Sequence, residues 1–365
     1  LASPETLPQR DVLRGTGGLV YFLSHQDING GSETLVIQVV DPVSGRVVDS
    51  TPLVAGVDYD FDYIQGMVML AQPLATTSTG SGLIGGAVGD YDNALVVQYE
   101  YTPTSTDIDG ASVGGRAEAW VGNNLRLGIT AMEETTDTTD QQMASVDARV
   151  VIGKASHIEL ELAGTQGPGF GNSTSTDGGL TITDSGVVGG PRAGAFRFNS
   201  HLEFDDLGLG AAGHVGAWYE EKEAGFASLS ENITEDQTDA GFYAEVDAGD
   251  RLTLGVEVES FEKAGGDAEA KAEVRAEVQV TDTVSIAVAA ARLDRTTIGD
   301  AGDTGTRDDV GLRVTYAPSD DVSVFVFGQH TTAITGGLQE DDRFGAGFDV
   351  QLTEKVSVAA SASDG

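Results

Sequence analysis

From position 111 onward the chain alternates apolar or small residues with polar ones, in segments of about ten residues. The clearest case puts Ala270, Ala272, Val274, Ala276, Val278 and Val280 at one set of positions. Glu269, Lys271, Glu273, Arg275, Glu277 and Gln279 fill the other. A helix would spread those charges around its circumference, whereas a strand sorts them onto one face, so the period overrides the helix propensity of Ala and Glu. The same sorting sets Phe196, Phe198, Leu202 and Phe204 against Arg197, Asn199, His201 and Glu203. It recurs with Leu252, Leu254, Val256 and Val258, and again with Phe344, Ala346, Phe348, Val350 and Leu352.

Turn signals divide these segments unevenly. Tight connections are expected at 122–124, 153–155, 205–206, 249–250, 281–283, 319–321 and 353–355. Long polar ones are expected between them, at 134–141, 166–193, 221–238, 263–267, 296–307 and 332–342. Short turns at one end and long loops at the other describe an up-and-down meander of about fourteen or more strands.

Before position 107 the rhythm differs. Apolar runs at 20–28, 33–40, 46–54, 59–74 and 94–101 are short, and Asp41-Pro42-Val43-Ser44-Gly45 and Gln65-Gly66 read as turns between them. Residues 10–106 therefore form an expected β-sandwich-like module and 111–365 a second domain. The Thr/Ser/Gly-rich stretch 75–89 reads as a long loop.

A sheet that crosses hydrocarbon must close on itself, because no backbone group can stay unpaired there. Its outer face is then apolar and its inner face polar. The expected fold is all-β: the sandwich-like module, then an antiparallel up-and-down transmembrane barrel. Its lining would carry Arg116, Glu118, Arg149, Glu159, Glu161, Arg197, Glu203, Glu257, Glu259, Glu273, Arg275 and Glu277. Asp147, Glu245 and Asp349, with Arg126, Lys271 and Arg313, belong to the same face. Acids outnumber bases on it, so a wet lumen would favour cations. Trp120, Trp218, Tyr219, Phe242, Tyr316 and Phe325 are the expected interfacial aromatics. The alternative is a soluble acidic adhesin or structural β-protein, since a half-buried soluble sheet also has one wet face.

Composition narrows the choices. The 365 residues hold 20 Lys+Arg against 58 Asp+Glu, a net charge of −38, which argues against nucleic acid as a partner. Cysteine is absent, excluding disulfides, zinc-thiolate sites and thiol catalysis. No stretch reaches the ~18 apolar residues of a spanning helix. Neither end looks finished. No export signal opens the sequence, and Ala-Ser-Ala-Ser-Asp-Gly at 360–365 reads as a strand running out, so the barrel is expected to be truncated there.

Within the first hundred residues, Gly31-Ser32-Glu33 is followed by Gly56-Val57-Asp58-Tyr59-Asp60-Phe61-Asp62-Tyr63 and Gly66. This pattern resembles a β-domain of large proteobacterial outer-membrane surface proteins, in which the domain precedes a transmembrane barrel. The resemblance implies a bacterial outer-membrane location, with lipid, lipopolysaccharide and other envelope proteins as partners. It implies no activity.

Candidate chemistry is thin. Asp58, Asp60 and Asp62 alternate with aromatics, and same-face neighbours stand about 7 Å apart, so one calcium ion would bridge two at most. The simpler account is a solvated face over a buried aromatic one. Acidic segments 300–303, 307–309 and 340–342 are expected to be exposed, with calcium as the one cofactor to consider. The histidines His25, His157, His201, His214 and His330 are dispersed, and His201 and His214 suit a lumen hydrogen bond better than a metal. No nucleophile elbow, phosphate loop or dinucleotide fingerprint occurs, so a passive pore or surface anchor is expected rather than an enzyme.

Overall fold

The computed structural model describes residues 6–41, 45–78, 91–102, 111–136, 139–167, 171–184, 192–228, 231–298, 303–319, 321–353 and 356–364. It is all-β. The module contributes β1 (Leu7–Arg14), β2 (Val20–Phe22), β3 (Thr34–Val40), β4 (Val47–Pro52), β5 (Tyr59–Asp62), β6 (Met67–Leu70), β7 (Thr77–Ser78) and β8 (Tyr91–Tyr101). Then come β9 (Ala111–Val121), β10 (Leu125–Thr136), β11 (Thr139–Ile152), β12 (Ser156–Gln166), β13 (Gly171–Ser175) and β14 (Thr183–Asp184). Next are β15 (Ala193–Glu203), β16 (Gly213–Lys222), β17 (Gln237–Asp247), β18 (Leu252–Lys263) and β19 (Ala268–Thr281). The last are β20 (Val284–Thr296), β21 (Gly305–Ser319), β22 (Val322–Gly336), β23 (Arg343–Thr353) and β24 (Val356–Asp364).

The module packs a seven-stranded sheet, ordered β14-β13-β1-β8-β3-β4 with β7 on β8, against a three-stranded sheet β2-β6-β5. Leu13, Tyr21, Leu35, Val68, Leu95 and Val97 are sealed between them at 1% exposure or less. Tyr59 is in this core and Phe61 and Tyr63 pack on it, so the aromatic side of the Asp/aromatic alternation is the buried one. Its carboxylates serve turns: Asp58 accepts from the Val54 N–H and Asp62 from those of Ile64 and Gln65. Gly66 closes that hairpin at φ 62°, where a Cβ would stand 2.0 Å from the His25 carbonyl oxygen.

The module is wider than 10–106. Its first strand starts at Leu7, and two strands come from the connection 167–192 of the second domain. β13 adds in parallel to β1, pairing Asp11 with Ser173. That connection was expected to be a free polar loop; instead its backbone completes the module's sheet.

All the other strands from β9 onward form one 14-stranded antiparallel sheet in chain order, with β9 and β24 at its edges. An even count makes those edges run in opposite directions, as closure requires. Short connections join β9 to β10, β11 to β12, β17 to β18 and β19 to β20. The connection expected at Asp205-Asp206 is longer, spanning 204–212; the long one expected at 134–141 shrinks because β10 and β11 run through most of it, and the one expected at 263–267 is a short turn at 264–267 between β18 and β19. The turns expected at 319–321 and 353–355 lie partly outside the described residues.

The longer β15–β16 connection clamps its neighbour. Asp206 accepts backbone N–H bonds from Lys154, Ala155 and Ser156, each at 2.9 Å. Those donors, Ala155 first, hold the Asp206 carboxyl well below the ordinary carboxylate range. A depressed folded pKa means that the clamp is fully present above the unfolded value near 3.9 and is lost only as pH falls through the lower folded one. Asp206→Ala should therefore speed amide exchange at 154–156. In the parent protein, protection there should stay level between pH 7 and 5.

Candidate functional site

Strand register decides which side chains share a surface. Arg116 pairs across from Thr130, and Gly128 from both Glu118 and Asp147. Arg149 faces Glu159, Glu161 faces Arg197, Glu203 faces His214, Glu257 faces Glu273, and Glu259 faces Lys271. Gly255 and Thr253 face Arg275 and Glu277. All twelve expected lining residues consequently lie on one face of the sheet.

The opposite face is apolar and open to the surroundings. Ile129, Val146, Leu162, Val274 and Val326 are 59%, 52%, 57%, 55% and 56% exposed. Its charges are confined to one rim. Glu133, Glu221, Glu262, Arg292, Asp294 and Asp308 all stand within a few residues of the strand ends on one side of the sheet, the side of the β16–β17, β20–β21 and β22–β23 connections. Of the expected interfacial aromatics, Tyr219, Phe242 and Tyr316 are on this face. Trp120, Trp218 and Phe325 are not: register turns them to the polar side. There Trp218 donates to Asp239 at 3.0 Å, and the Arg313 guanidinium sits 3.8 Å above the Phe325 ring. These polar partners hold Trp218 and Phe325 on the polar face, which a girdle assignment based on composition could not anticipate; on the apolar face the Tyr219 hydroxyl donates to Glu221 at 3.2 Å.

Ion pairs cover the polar face. Arg116 contacts Asp147 and Glu118, Arg149 contacts Glu159 at 2.8 Å, Arg197 contacts Glu161 at 2.6 Å, and Arg275 contacts Glu245 at 2.5 Å. Arg116, Arg126, Asp147, Glu159, Glu161 and Arg197 line a cavity of about 240 Å³. Exposed pairs of this kind stabilise the fold little, because water screens them. Their consequence is electrostatic, a wet wall of alternating sign with acids in surplus.

At the short-turn end, His157, His201 and His214 stand in a row, with ring centroids 6.0 and 5.3 Å apart. His201 bonds to the Tyr243 hydroxyl and to Glu203, both at 2.9 Å. Room for these rings comes from glycines on neighbouring strands: a Cβ at Gly216 would stand 2.2 Å from the Tyr243 ring. Among the described residues no group of three ligands is placed to hold a metal ion.

At the other end, segments fold onto the polar face. The β16–β17 connection inserts Phe226 and Ile233 against Ala163, Ala193 and Ala195. It is pinned by the Ala227 N–H on Thr165 Oγ1 at 3.2 Å. In the connection 337–342, Glu340 and Asp342 are exposed as expected, but Asp341 is drawn in beside Asp309, which corrects the expectation for those two acids. Asp309 and Asp341 are 5% and 8% exposed. Arg307 bonds to both, at 2.8 and 3.0 Å, and Arg343 also pairs with Asp341. Arginines, the better match for carboxylates in a crowded site, take the place of a cation. Asp308 and Asp309 belong to β21 rather than to a loop, and Asp300 lies outside the described residues.

The module reaches the same end. Arg46 donates through Nε to Asp239 and through Nη2 to Glu259, both at 2.9 Å. Arg295 bonds to Glu269 at 2.5 Å and to Asp41 at 3.2 Å. Burial alone would lower the Arg46 pKa; Glu259 and Asp239 outweigh it and raise it. Alternation along β18 and β19 places Glu259 and Glu269 on the polar face, whereas in β20 Ala287, Ala289, Ala291 and Leu293 share the face of Arg295 and give no such signal. Nothing in the sequence linked these charges to a turn some two hundred residues earlier.

Within the module, Asp11, Ser24 and His25 meet, but not as a nucleophile triad. Ser24 donates to Asp11 Oδ1 at 2.7 Å, so the carboxylate binds the hydroxyl instead of orienting the imidazole. No protein-family model, curated protein or solved structure matches the chain.

Proposed function

We propose that the chain is a β-barrel protein of a bacterial outer membrane, acting as a passive pore or surface anchor rather than a catalyst. One observation carries this reading. A band of half-exposed Ile, Val, Leu and Phe covers one face of the 14-stranded sheet, while ion pairs line the other from β9 to β19. Soluble proteins rarely leave apolar surface of this extent in water, because each buried CH₂ is worth about 0.8 kcal/mol. The rim charges mark where hydrocarbon would give way to headgroups. Strands of 9 to 15 residues are long enough to cross tilted. The lining acids favour cations over anions. Lipid and lipopolysaccharide are the partners of the apolar band, and other envelope proteins those of the module.

Vesicle flotation tests this. The refolded protein should rise with phospholipid vesicles through a density gradient, resist carbonate extraction, and need detergent to stay monodisperse. A monodisperse species without detergent that stays at the bottom of the gradient would favour the soluble acidic adhesin instead.

A further inference from the structure

The β3–β4 turn is an unusual place for a buried arginine. It projects from a module with its own core, and Asp41 and Arg46 bracket it through backbone bonds of the Asp41 N–H to the Arg46 carbonyl and the Gly45 N–H to the Asp41 carbonyl, each 2.8 Å. Yet the Arg46 side chain is only 10% exposed, and the acids that enclose it, Asp239 and Glu259, are 21% and 15% exposed. The Phe261 ring lies 6.0 Å from its guanidinium. Asp41, at 2% exposure, meets Arg295, which also holds Glu269. Asp239, Glu259, Phe261, Glu269 and Arg295 lie on four adjacent strands, β17 to β20, on the polar face and near the strand ends on the side of the β16–β17 and β20–β21 connections.

The two sides are complementary in charge. Arg46 meets two wall carboxylates, and the wall's Arg295 meets the turn's Asp41. Partners so far apart in sequence hold their geometry only while the module is seated. Buried charge pairs discriminate strongly between correct and incorrect docking, because removing one partner leaves the other desolvated and unpaired. Coming undone together would return all of these groups to water.

We propose that the module is a plug, latched to the inner wall of the barrel by Arg46–Asp239/Glu259 and Asp41–Arg295, and that releasing the latch opens a cation-selective path. The inference rests on the membrane-barrel reading. In the seated state Arg46 neutralises two lining carboxylates. Unseated, those carboxylates face the lumen and add to its cation preference.

Planar-bilayer recordings of the full chain test it, with vesicle flotation of each variant run first so that a failure to insert is scored against the membrane reading alone. The parent should insert and conduct weakly. Arg46→Ala should insert equally well, with severalfold larger unitary conductance and a reversal potential in a KCl gradient shifted towards that of potassium. Arg46→Lys, which keeps the charge, should remain close to the parent. Asp239→Asn with Glu259→Gln attacks the latch from the wall side and leaves the module unaltered. It should raise conductance as Arg46→Ala does, with a smaller gain in selectivity, and it stands in if the turn variant misfolds. Inserted channels whose conductance is the same in parent, Arg46→Ala and the double variant would overturn the plug.

Discussion

Ile129→Arg should destabilise the folded protein in lipid vesicles by about 2–4 kcal/mol, while Glu133→Arg on the same strand costs no more than about 1 kcal/mol. Both side chains are on the apolar face of β10, opposite Ala117 and Val113. Ile129 is 59% exposed and buries little against the protein itself. The protein alone therefore predicts a tolerant site, with an effect within about 0.5 kcal/mol for either change. Only hydrocarbon distinguishes them. Ile129 is mid-strand, where a guanidinium would have to be dehydrated or drag water inward, and Glu133 is at the charged rim. Equilibrium unfolding in vesicles, with the same pair measured in detergent micelles, reads the difference. Equal and small effects at both positions in vesicles would remove the bilayer from the account. Leu162 and Val274, at similar mid-strand positions two and seven strands away, extend the test around the sheet.

The sheet was legible in the sequence because a two-residue period is a local property. Once Glu269 to Val280 alternates, the face of each side chain follows with no knowledge of its neighbours. That is why all twelve lining residues fall together although they span β9 to β19. The module's first strand was missed for the opposite reason. In β1 the buried alternate positions are Gln9, Asp11 and Leu13, so two polar residues point into the interior. They are tolerated there through hydrogen bonds from distant residues, which no local pattern reveals. β13, Gly-Asn-Ser-Thr-Ser, has loop composition and is a strand because β1 offers it a free edge. Loop conformation was hidden likewise: the acids at 309 and 341 read as solvated until Arg307 and Arg343 were seen beside them. The latch at Arg46 is the extreme case, a contact across 193 and 213 residues between side chains of the commonest surface types.

Asp11 is where that non-local bonding concentrates, and Asp11→Ala should cost the module about 3 kcal/mol or more. The side chain is fully buried and accepts five hydrogen bonds. They come from Gln9 Nε2 at 3.0 Å, the Ser24 N–H and Oγ at 2.7 Å each, the Tyr99 hydroxyl at 2.9 Å, and Ser173 Oγ at 2.7 Å. Burial, with the Asp11 charge second, pushes the Tyr99 hydroxyl far above its ordinary pKa, so at neutral pH it stays a donor. Alanine leaves these donors without their acceptor, at about 1–3 kcal/mol for each that finds no substitute. Ser24 and Tyr99, 2.9 Å apart, can partly satisfy each other, which keeps the total below the simple sum. Asparagine retains one acceptor oxygen but turns an NH₂ towards donors, so Asp11→Asn should recover little. Exposed Asp60 is the control, and Asp60→Ala should fall within about 0.5 kcal/mol of the parent. Because Ser173 belongs to β13, the loss should also free 171–175 from β1, read as faster amide exchange confined to that strand and β1. A parent-like melting midpoint for Asp11→Ala, with 171–175 still protected, would show that the parallel β1–β13 pairing stands on its backbone ladder without the carboxylate.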